Sequence, residues 1–177
     1  SGIVVNVQLV YGRKCFAGEL GHVSIRPESG RPCPCGRKGC LETYCSATGV
    51  AQTACELLAE EKYADSLLHQ LNPAEITSKD VYDAAMKGDT LSNEVFRLTG
   101  EWLGEACADF ATFSDPEAFI FFGGLTKAAD CFMPHLLETY QRTVFDNYKG
   151  TAKFLISKLE DGEAALLGAA ALAWLEE

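Results

Sequence analysis

The sequence GELGH at residues 18–22, followed by CPCGRKGCLE at residues 33–42, is the most informative part of the chain. Together these segments contain one imidazole and three thiols, a complete tetrahedral ligand set for zinc of the Cys₃His structural type. Thiols crowded into a Pro- and Gly-rich loop fit a metal site better than a disulfide framework. A loop of reduced cysteines, or one disulfide with a spare thiol, is the alternative. The predicted zinc ligands are His22, Cys33, Cys35 and Cys40.

The turn between the thiols has the residues that such a site needs. Gly36 and Gly39 permit the positive φ angles of a tight turn, which would bring Cys40 back to the same ion. Three thiolates and a neutral imidazole around Zn²⁺ leave a net negative site. Arg37 and Lys38 lie within the turn, where their charges would offset it.

Two glutamates flank the predicted metal site. Glu19 precedes His22 and Glu42 follows Cys40, so one metal would hold both carboxylates near the same place. A metal-bound imidazole keeps one ring nitrogen free to donate a hydrogen bond outward. Two carboxylates and one N–H suit the hydroxyls of a polyol such as a sugar. Taken singly, each is an ordinary surface glutamate, and Glu42 would also be favoured by the dipole of a helix first turn.

The chain has 177 residues, 47% hydrophobic and 23% charged, with a net charge of -10. This predicts one domain, residues 1–177, with a buried core. So acidic a surface disfavours bulk attraction to nucleic acid or anionic membranes. The longest apolar run, residues 164–175, is too short to cross a bilayer, and the N-terminus has no secretory signal. We expect a cytoplasmic protein and, since the chain does not begin with Met, a piece of a longer one.

Hydrophobic periodicity predicts strands that alternate with helices in the second half of the chain, which is typical of an α/β layered domain. The predicted strands cover residues 3–5, 8–11, 23–25, 118–122 and 153–157. The predicted helices cover about residues 41–58, 78–86, 90–113, 128–145 and 163–175. The five cysteines outside the loop are predicted to be small buried hydrophobic residues. They are Cys15, Cys45, Cys55, Cys107 and Cys131.

The long motif at residues 18–42 resembles the signature of the ROK family of bacterial sugar kinases and sugar-responsive repressors. Residues 1–6 are similar to the end of the family's glycine-rich phosphate loop and the strand behind it. Residues 119–127 resemble the strand and Gly-Gly turn that lie against the nucleotide, and residues 161–169 the start of the closing helix. The resemblance covers the entire chain, but only the C-terminal part of a family member.

The resemblance implies an α/β fold, the ribonuclease H-like C-terminal lobe of the actin-like ATPase superfamily, with a zinc-binding loop. The family's catalytic aspartate and its Asp-x-Gly-Gly-Thr phosphate loop belong to the N-terminal lobe, so no catalytic residue is assigned in this chain. The implied cofactors are structural Zn²⁺, ATP and Mg²⁺. The matching positions are His22, Cys33, Cys35 and Cys40 for zinc, Glu19, His22 and Glu42 for the hexose, and Gly123 and Gly124 for the adenine and ribose of ATP.

Two functions are compatible with the resemblance. The first is the sugar- and nucleotide-binding lobe of an ATP-dependent hexokinase, glucokinase-like, whose substrates are a hexose and MgATP. The alternative is the effector-binding lobe of a transcriptional repressor, which would contact nucleic acid only through an upstream helix-turn-helix. A stand-alone zinc-binding interaction domain is a third hypothesis, but it leaves the Gly-Gly turn and the paired glutamates unexplained. Family members are commonly dimeric through this lobe, so a homodimer is expected.

The sequence departs from the family pattern at three loop positions. Val7 stands where the family often has the glycine of an Asn-Gly turn. Because a β-branched residue resists positive φ, we expect the hairpin here to use a different turn. Cys15 and Pro34 also replace small residues or glycine. None of the three changes removes a predicted ligand.

Overall fold

A computed structural model describes residues 1–159 and 163–174, and for Leu172 it describes the backbone alone. Short 3₁₀ turns join the main elements, and two of them, Leu20–His22 and Gly124–Ala128, bear on the site. The strands are β1 (Val4–Val5), β2 (Gln8–Leu9), β3 (Ala118–Phe121) and β4 (Lys153–Ile156). The α-helices are α1 (Glu42–Cys45), α2 (Ala47–Leu57), α3 (Ser78–Ala85), α4 (Thr90–Ser114), α5 (Ala129–Thr143) and α6 (Glu163–Trp174).

The hydrophobic core lies between helices α2, α3, α4 and α5, with Phe96 and Phe132 among its fully buried side chains. Helices α4 and α5 approach closely because α4 has glycine at two positions one turn apart. A Cβ at Gly100 would lie 2.4 Å from the carbonyl oxygen of Phe132. A Cβ at Gly104 would lie 2.6 Å from the carbonyl oxygen of Leu136. Any larger residue at either glycine would push the two helices apart.

Strands β3 and β4 form a parallel pair that the helices cover on one face. On that face the Phe119 and Phe154 rings stack with centroids 5.1 Å apart, and Tyr140 of α5 meets Phe154 edge-on at 4.8 Å. On the other face, Ile120 and Leu155 are exposed. Helices packed against a parallel sheet confirm the predicted α/β class. The paired residues are Ala118–Lys153, Phe119–Phe154, Ile120–Leu155 and Phe121–Ile156.

The predicted helix over residues 41–58 is in fact two helices. Ser46 is extended, with φ -86° and ψ 170°, and it divides α1 from α2. Its hydroxyl accepts a hydrogen bond from the Gly49 amide, 3.1 Å long, so that Ser46 caps α2. The predicted strand at residues 23–25 makes a single antiparallel bridge, between Ser24 and Cys40. The remaining predicted elements are present with bounds that differ by a few residues.

The expectation for the turn at Val7 was wrong. Asn6 has φ 51° and Val7 has φ 65°, so both central residues of the β1–β2 hairpin are left-handed, as a type I′ turn requires. Val7 is 97% exposed, and its side chain therefore meets no steric obstacle beyond its own backbone. The twist of the paired strands selects the turn in spite of the cost, about 1–2 kcal/mol, of a left-handed β-branched residue.

The expectation that the scattered cysteines are buried holds in full for Cys107, which lies in the core beside α5. Cys45, Cys55 and Cys131 are partly buried. Cys15 contradicts the expectation, because it is exposed in a left-handed turn with φ 59°.

Helix α6 ends the described part of the chain. The segment from Asp161 was matched to the start of this helix and Leu175 to its end, and both residues lie outside the described ranges. Leu166, Leu167 and Trp174 are exposed, with Trp174 at 85%. Among the described residues, none of the helices combines the length and apolarity that crossing a membrane requires.

Asp89 organises the start of the longest helix, α4. Its buried carboxylate accepts hydrogen bonds from the Ser92 amide at 2.8 Å, the Leu67 amide at 2.7 Å and the Ser66 hydroxyl at 3.2 Å. Burial alone would raise the pKa of Asp89, but these hydrogen bonds outweigh it and hold the pKa below its ordinary value. One side chain thus caps α4 and fixes the turn that precedes α3.

We expect Asp89→Asn to lower the free energy of unfolding by about 1–3 kcal/mol. The NH₂ group that replaces Oδ2 is a hydrogen-bond donor and would face the N–H of Leu67, so that hydrogen bond is lost. The folded pKa of Asp89 is depressed, so its stabilisation is present above the unfolded pKa of about 3.9 and is lost as the pH falls through the folded value. Urea unfolding between pH 3 and pH 7 measures both effects, and the difference between variant and parent should shrink towards the acid end. Asp109→Asn, on an exposed position of the same helix, should leave the profile unchanged.

Candidate functional site

The loop of residues 24–40 is closed by backbone pairing rather than by apolar packing. Antiparallel bridges join Ser24 to Cys40 and Pro32 to Lys38. The Gly39 amide donates to the Arg31 carbonyl at 2.8 Å. These hydrogen bonds turn the loop back on itself and place its two ends side by side.

Glycine is required at the point where the loop strands cross. Gly39 has φ 70°, and a Cβ there would lie 1.9 Å from the carbonyl oxygen of Arg26. Gly36 has φ 88°, and its amide donates to the Cys33 carbonyl at 2.9 Å. The positive φ angles predicted for both glycines are therefore confirmed, and the turn they form returns Cys40 towards the first two thiols.

The four predicted metal ligands converge. One ligand atom from each of His22, Cys33, Cys35 and Cys40 lies within 4.8 Å of all the others. His22 Nδ1 is 3.6 Å from Cys33 Sγ, and Cys35 Sγ is 3.6 Å from Cys40 Sγ. A tetrahedral Zn²⁺ with ordinary Zn–S and Zn–N bonds separates its ligand atoms by about 3.6–3.8 Å. The donor set and the spacing both fit zinc.

The thiols differ in how readily they lose a proton. The Arg37 amide beside Cys35, followed by the Cys33 thiol, lowers the pKa of Cys35. Burial raises the pKa of the Cys40 thiol to about 12, and the neighbouring Cys33 and Cys35 sulfurs raise it further. A metal that bound this cluster would have to displace the proton of Cys40, so binding would weaken as the pH falls.

Arg37 reaches the metal-ligating segment directly. Its Nη1 donates to the His22 carbonyl at 2.9 Å, which fixes the backbone of one ligand from the tip of the loop. The Lys38 side chain is exposed, while its carbonyl accepts from the Ser24 hydroxyl at 2.7 Å. The guanidinium of Arg37 therefore lies beside the cluster, where its charge would offset that of thiolates.

The segment that carries Glu19 and His22 packs against Glu42. A Cβ on Gly21 would lie 3.5 Å from Glu42 Cβ and 3.7 Å from Glu42 Oε2. The His22 amide donates to the Glu19 carbonyl at 3.1 Å, which closes the short turn between them. Both carboxylates are exposed, as a solute-binding pair must be. His22 turns Nδ1 towards the thiols. If Nδ1 binds a metal, the neutral ring carries its proton on Nε2, which can then donate a hydrogen bond.

The N-terminal residues hold this segment in place. The Ser1 hydroxyl donates to the Gly18 carbonyl and accepts from the Leu20 amide at 3.0 Å. Ser1, in the segment that resembles the end of a phosphate loop, is therefore bonded directly to the segment of Glu19 and His22. This contact was not predicted, because no local pattern relates Ser1 to residues 18–20.

Gly123 and Gly124 lie where strand β3 ends, and they line a cavity of about 290 Å³. Gly123 has φ 108°, and nothing lies within 4 Å of a Cβ built on either glycine. A flat ring could therefore approach this backbone without meeting a side chain. The cavity is otherwise mostly apolar, and its lining includes Cys45, Ser46, Leu103, Phe121 and Phe132.

Helix α1 connects the two regions. Glu42 begins it, and Cys45, which ends it, lies in the wall of the cavity. Three residues of helix advance by about 4.5 Å, so the carboxylate segment and the cavity are separated by one helical turn. The placement of Cys45 and Ser46 was not predicted, because the sequence shows no break in the helical pattern there.

The model of the ROK family matches residues 1–176. A glucokinase from Halalkalibacterium halodurans is 35% identical over 167 residues, which are 94% of this chain and 50% of that glucokinase. The DNA-binding transcriptional dual regulator NagC of Escherichia coli is 28% identical over 172 residues, 97% of this chain and 40% of NagC.

Solved structures agree with the sequence comparison. A ROK family glucokinase from Streptomyces griseus, in complex with glucose and AMPPNP, superimposes with a TM-score of 0.83 at 31% identity. The match covers 97% of this chain and 55% of the Streptomyces chain. The chain thus spans about half the length of the glucokinases it resembles.

We expect the purified chain to hold about one zinc ion, because the cluster offers four ligands of the type and spacing that a closed zinc site uses. Cys40→Ser removes the most buried of them and should abolish stoichiometric zinc. Elemental analysis after dialysis measures the metal, and lowering the pH should release it as the thiolates are protonated. Cys15→Ser, at an exposed thiol outside the cluster, is the matched control and should keep its zinc. Protein purified under reducing conditions without metal, or with a Cys35–Cys40 disulfide, would contradict this assignment.

Proposed function

The chain belongs to the ROK family, and on this basis we propose that it is the C-terminal lobe of an ATP-dependent hexose kinase of the glucokinase type. The observation that carries the proposal is the arrangement at α1, where Glu42 and the cavity beneath Gly123 stand one helical turn apart. A kinase needs its acceptor hydroxyl and its nucleotide side by side. The similarity to glucokinases over 94% of this chain supports the same conclusion.

In this proposal the chain forms one domain, residues 1–177, and an N-terminal lobe completes the enzyme. That lobe would supply the aspartate that removes a proton from the sugar hydroxyl and the first phosphate-binding loop. The matched glucokinase is about twice as long as the matched region, which leaves room for such a lobe. Residues of this chain then bind and orient, and none of them is the catalytic base.

Hydrogen bonds from Glu19, His22 and Glu42 would hold the hexose. The carboxylates accept from sugar hydroxyls, and His22 Nε2 donates to a third. Gly21, between Glu19 and His22, lies against Glu42, so the two segments that carry the three groups are neighbours. Their role is to hold one hydroxyl in a fixed direction, which is the larger part of catalysis in phosphoryl transfer. The complex of the Streptomyces glucokinase with glucose supports a hexose as the ligand.

Zinc would be held by His22, Cys33, Cys35 and Cys40, and its contribution would be structural. Four protein ligands leave no open position for substrate. These four ligands would link the segment of Glu19 to the loop that leads into Glu42. Loss of the metal would therefore move both carboxylates at once.

The cavity at Gly123 and Gly124 would take the adenine and ribose of MgATP. Apolar walls from Leu103 and Phe132 suit a flat aromatic ring, and the bare backbone of the two glycines permits its close approach. Mg²⁺ would arrive with the phosphates, as it usually does in kinases. The AMPPNP bound to the Streptomyces glucokinase supports a nucleotide at this lobe. We expect the complete enzyme to be a cytoplasmic homodimer.

The alternative is the effector-binding lobe of a sugar-responsive repressor. The similarity to NagC, over 97% of this chain, favours it, and such a lobe would use the same sugar-binding residues without chemistry. The kinase is the stronger proposal because the glucokinase similarity is higher, 35% against 28% identity. Upstream residues discriminate the two: a helix-turn-helix indicates a repressor, an Asp-x-Gly-Gly-Thr segment a kinase.

In the full-length protein, Glu42→Ala should weaken hexose binding by about tenfold to a hundredfold, since hydrogen bonds to a charged group contribute about 1.5–3 kcal/mol. Zinc content should stay unchanged, because Glu42 is not among the ligands. Calorimetry with glucose measures the affinity. Glu28→Ala, at an exposed glutamate of the same loop, is the control and should bind like the parent. Unchanged affinity in Glu42→Ala would exclude Glu42 from the sugar site.

The 177-residue chain alone should show no kinase activity and should self-associate. It has no assigned base, and it exposes Ile120, Leu166, Leu167 and Trp174 on the uncovered sheet face and on α6. Burial of apolar surface contributes about 25 cal/mol per Å², so a partner or a second copy should cover them. Light scattering over the micromolar range measures the association, and Leu166→Glu should reduce it. A monomer throughout this range, or glucose-dependent ADP formation by the chain alone, would contradict the proposal.

A further inference from the structure

Arg31 is buried, although it lies in a polar loop where an arginine is usually exposed. The residue is 8% exposed, and all five N–H groups of its guanidinium are used. Nε and Nη2 donate to the two carboxylate oxygens of Glu56, at 3.0 and 2.6 Å. Nη2 also donates to the Thr53 hydroxyl at 2.9 Å, and Nη1 donates to the carbonyls of Thr43 at 2.6 Å and Gly49 at 3.2 Å.

The backbone of Arg31 is fixed as tightly as its side chain. Its amide donates to the Tyr44 hydroxyl at 3.0 Å, and its carbonyl accepts from the Gly39 amide at 2.8 Å. The guanidinium carbon also lies 4.5 Å from the centre of the Tyr44 ring. Arg31 is thus attached to the metal loop through its main chain and to α1 and α2 through its side chain.

The guanidinium fills the break between α1 and α2. In an uninterrupted helix, the Thr43 carbonyl would accept from the amide four residues later, but the extended Ser46 interrupts that pattern. Arg31 Nη1 supplies a donor to Thr43 instead, at the C-terminal end of α1, where a positive charge is favourable. Nη1 also reaches Gly49 in α2, so one nitrogen holds both sides of the break.

A helix of one turn has no stability of its own, so external contacts must decide the direction of α1. Cys40 lies just before α1, and the contact of Arg31 with Thr43 lies immediately after Glu42. We propose that Arg31 is a positioning residue for Glu42: it sets the direction of α1 and thereby the placement of the sugar-binding carboxylate. This inference rests on the proposed function, and it assigns Arg31 no contact with substrate.

The planar fork of arginine is what this role requires. A lysine would carry the same charge, but its single nitrogen cannot reach Glu56, Thr53 and the two carbonyls together. Arg31→Lys should therefore preserve the buried charge pair in part while releasing the carbonyl of Thr43. The substitution tests geometry rather than charge.

The experiment uses the full-length protein with glucose and MgATP. Arg31→Lys should raise the KM for glucose by about tenfold to a hundredfold, as expected for a displaced binding group, with the KM for MgATP changed less than about twofold. Zinc content and the circular dichroism spectrum should match the parent. Arg26→Lys is the control, because Arg26 is a half-exposed arginine of the same loop whose Nη1 donates to its neighbour's carbonyl, that of Ile25, at 2.8 Å and pairs with Glu105 at 3.6 Å. It should leave both KM values unchanged.

A double-mutant cycle separates positioning from general support. If Arg31 acts through Glu42, then Arg31→Lys should have little further effect on glucose affinity in a Glu42→Ala background. Additive effects would overturn the inference, as would an equal rise in both KM values or loss of zinc in Arg31→Lys. If Arg31→Lys does not fold, Glu56→Gln provides the second test, and it should raise the KM for glucose alone. An unchanged KM for glucose in a folded Glu56→Gln would then overturn the inference.

The two proposals fail in different ways. If Glu42→Ala leaves glucose affinity unchanged by calorimetry, the sugar site itself is wrong. If Glu42→Ala weakens binding while Arg31→Lys does not, the sugar site stands and only the positioning role of Arg31 is wrong.

Discussion

Convergence of three thiols and an imidazole within 4.8 Å is the constraint on which the functional end of this molecule depends. The hydrophobic core between α2 and α5 does not extend to the loop of residues 24–40, which has too few apolar side chains to fix its own shape. Backbone bridges close the loop, but the ligand cluster joins it to the separate segment of His22. A metal bound by this cluster would hold the loop and the segment of His22 together, as apolar packing holds the helices of the core together.

The break at Ser46 has a consequence for function that an uninterrupted helix would lack. A continuous helix from residue 41 would carry Glu42 along the axis of α2, with its direction set by the core. Because the helix is divided, α1 takes its direction from the metal loop on one side and from Arg31 on the other. The same division exposes Cys45 and Ser46 to the cavity at Gly123. In the proposed function, the sugar-binding and nucleotide-binding regions therefore meet at α1, whose Tyr44 packs edge-on against Trp102 of α4.

The residues that sequence reasoning identified are those whose chemistry is local. Ligand type and spacing indicated His22 and the three thiols, whose ligand atoms lie close together in the structure. Glycine indicated the turns at Gly36 and Gly39, and the positive φ angles there are confirmed. Periodicity located α3 to α6 but not the break at Ser46, because hydrophobic spacing continues through it. The burial of Arg31 could not be predicted from the sequence. The residues that its guanidinium contacts lie 12 to 25 positions away in the chain, and no local sequence pattern distinguishes a buried arginine from a solvated one. At Val7 a local preference led to a wrong prediction. A β-branched residue disfavours positive φ, but the pairing of β1 with β2 imposes it there.

The chain is similar both to glucokinases and to the regulator NagC, and a lobe that binds a ligand without supplying the catalytic base could belong to either kind of protein. In the proposed function Glu19, His22 and Glu42 only hold a sugar, and a metal-bound loop that fixed them would serve a sensor as well as an enzyme. Parallel strands are normally covered on both sides, so the proposed further lobe would pack on the exposed face of β3 and β4. If that lobe brings a base and a phosphate loop, the bound sugar becomes a substrate. If it brings a DNA-binding module, the same sugar becomes a signal, and the geometry at α1 has no reason to change.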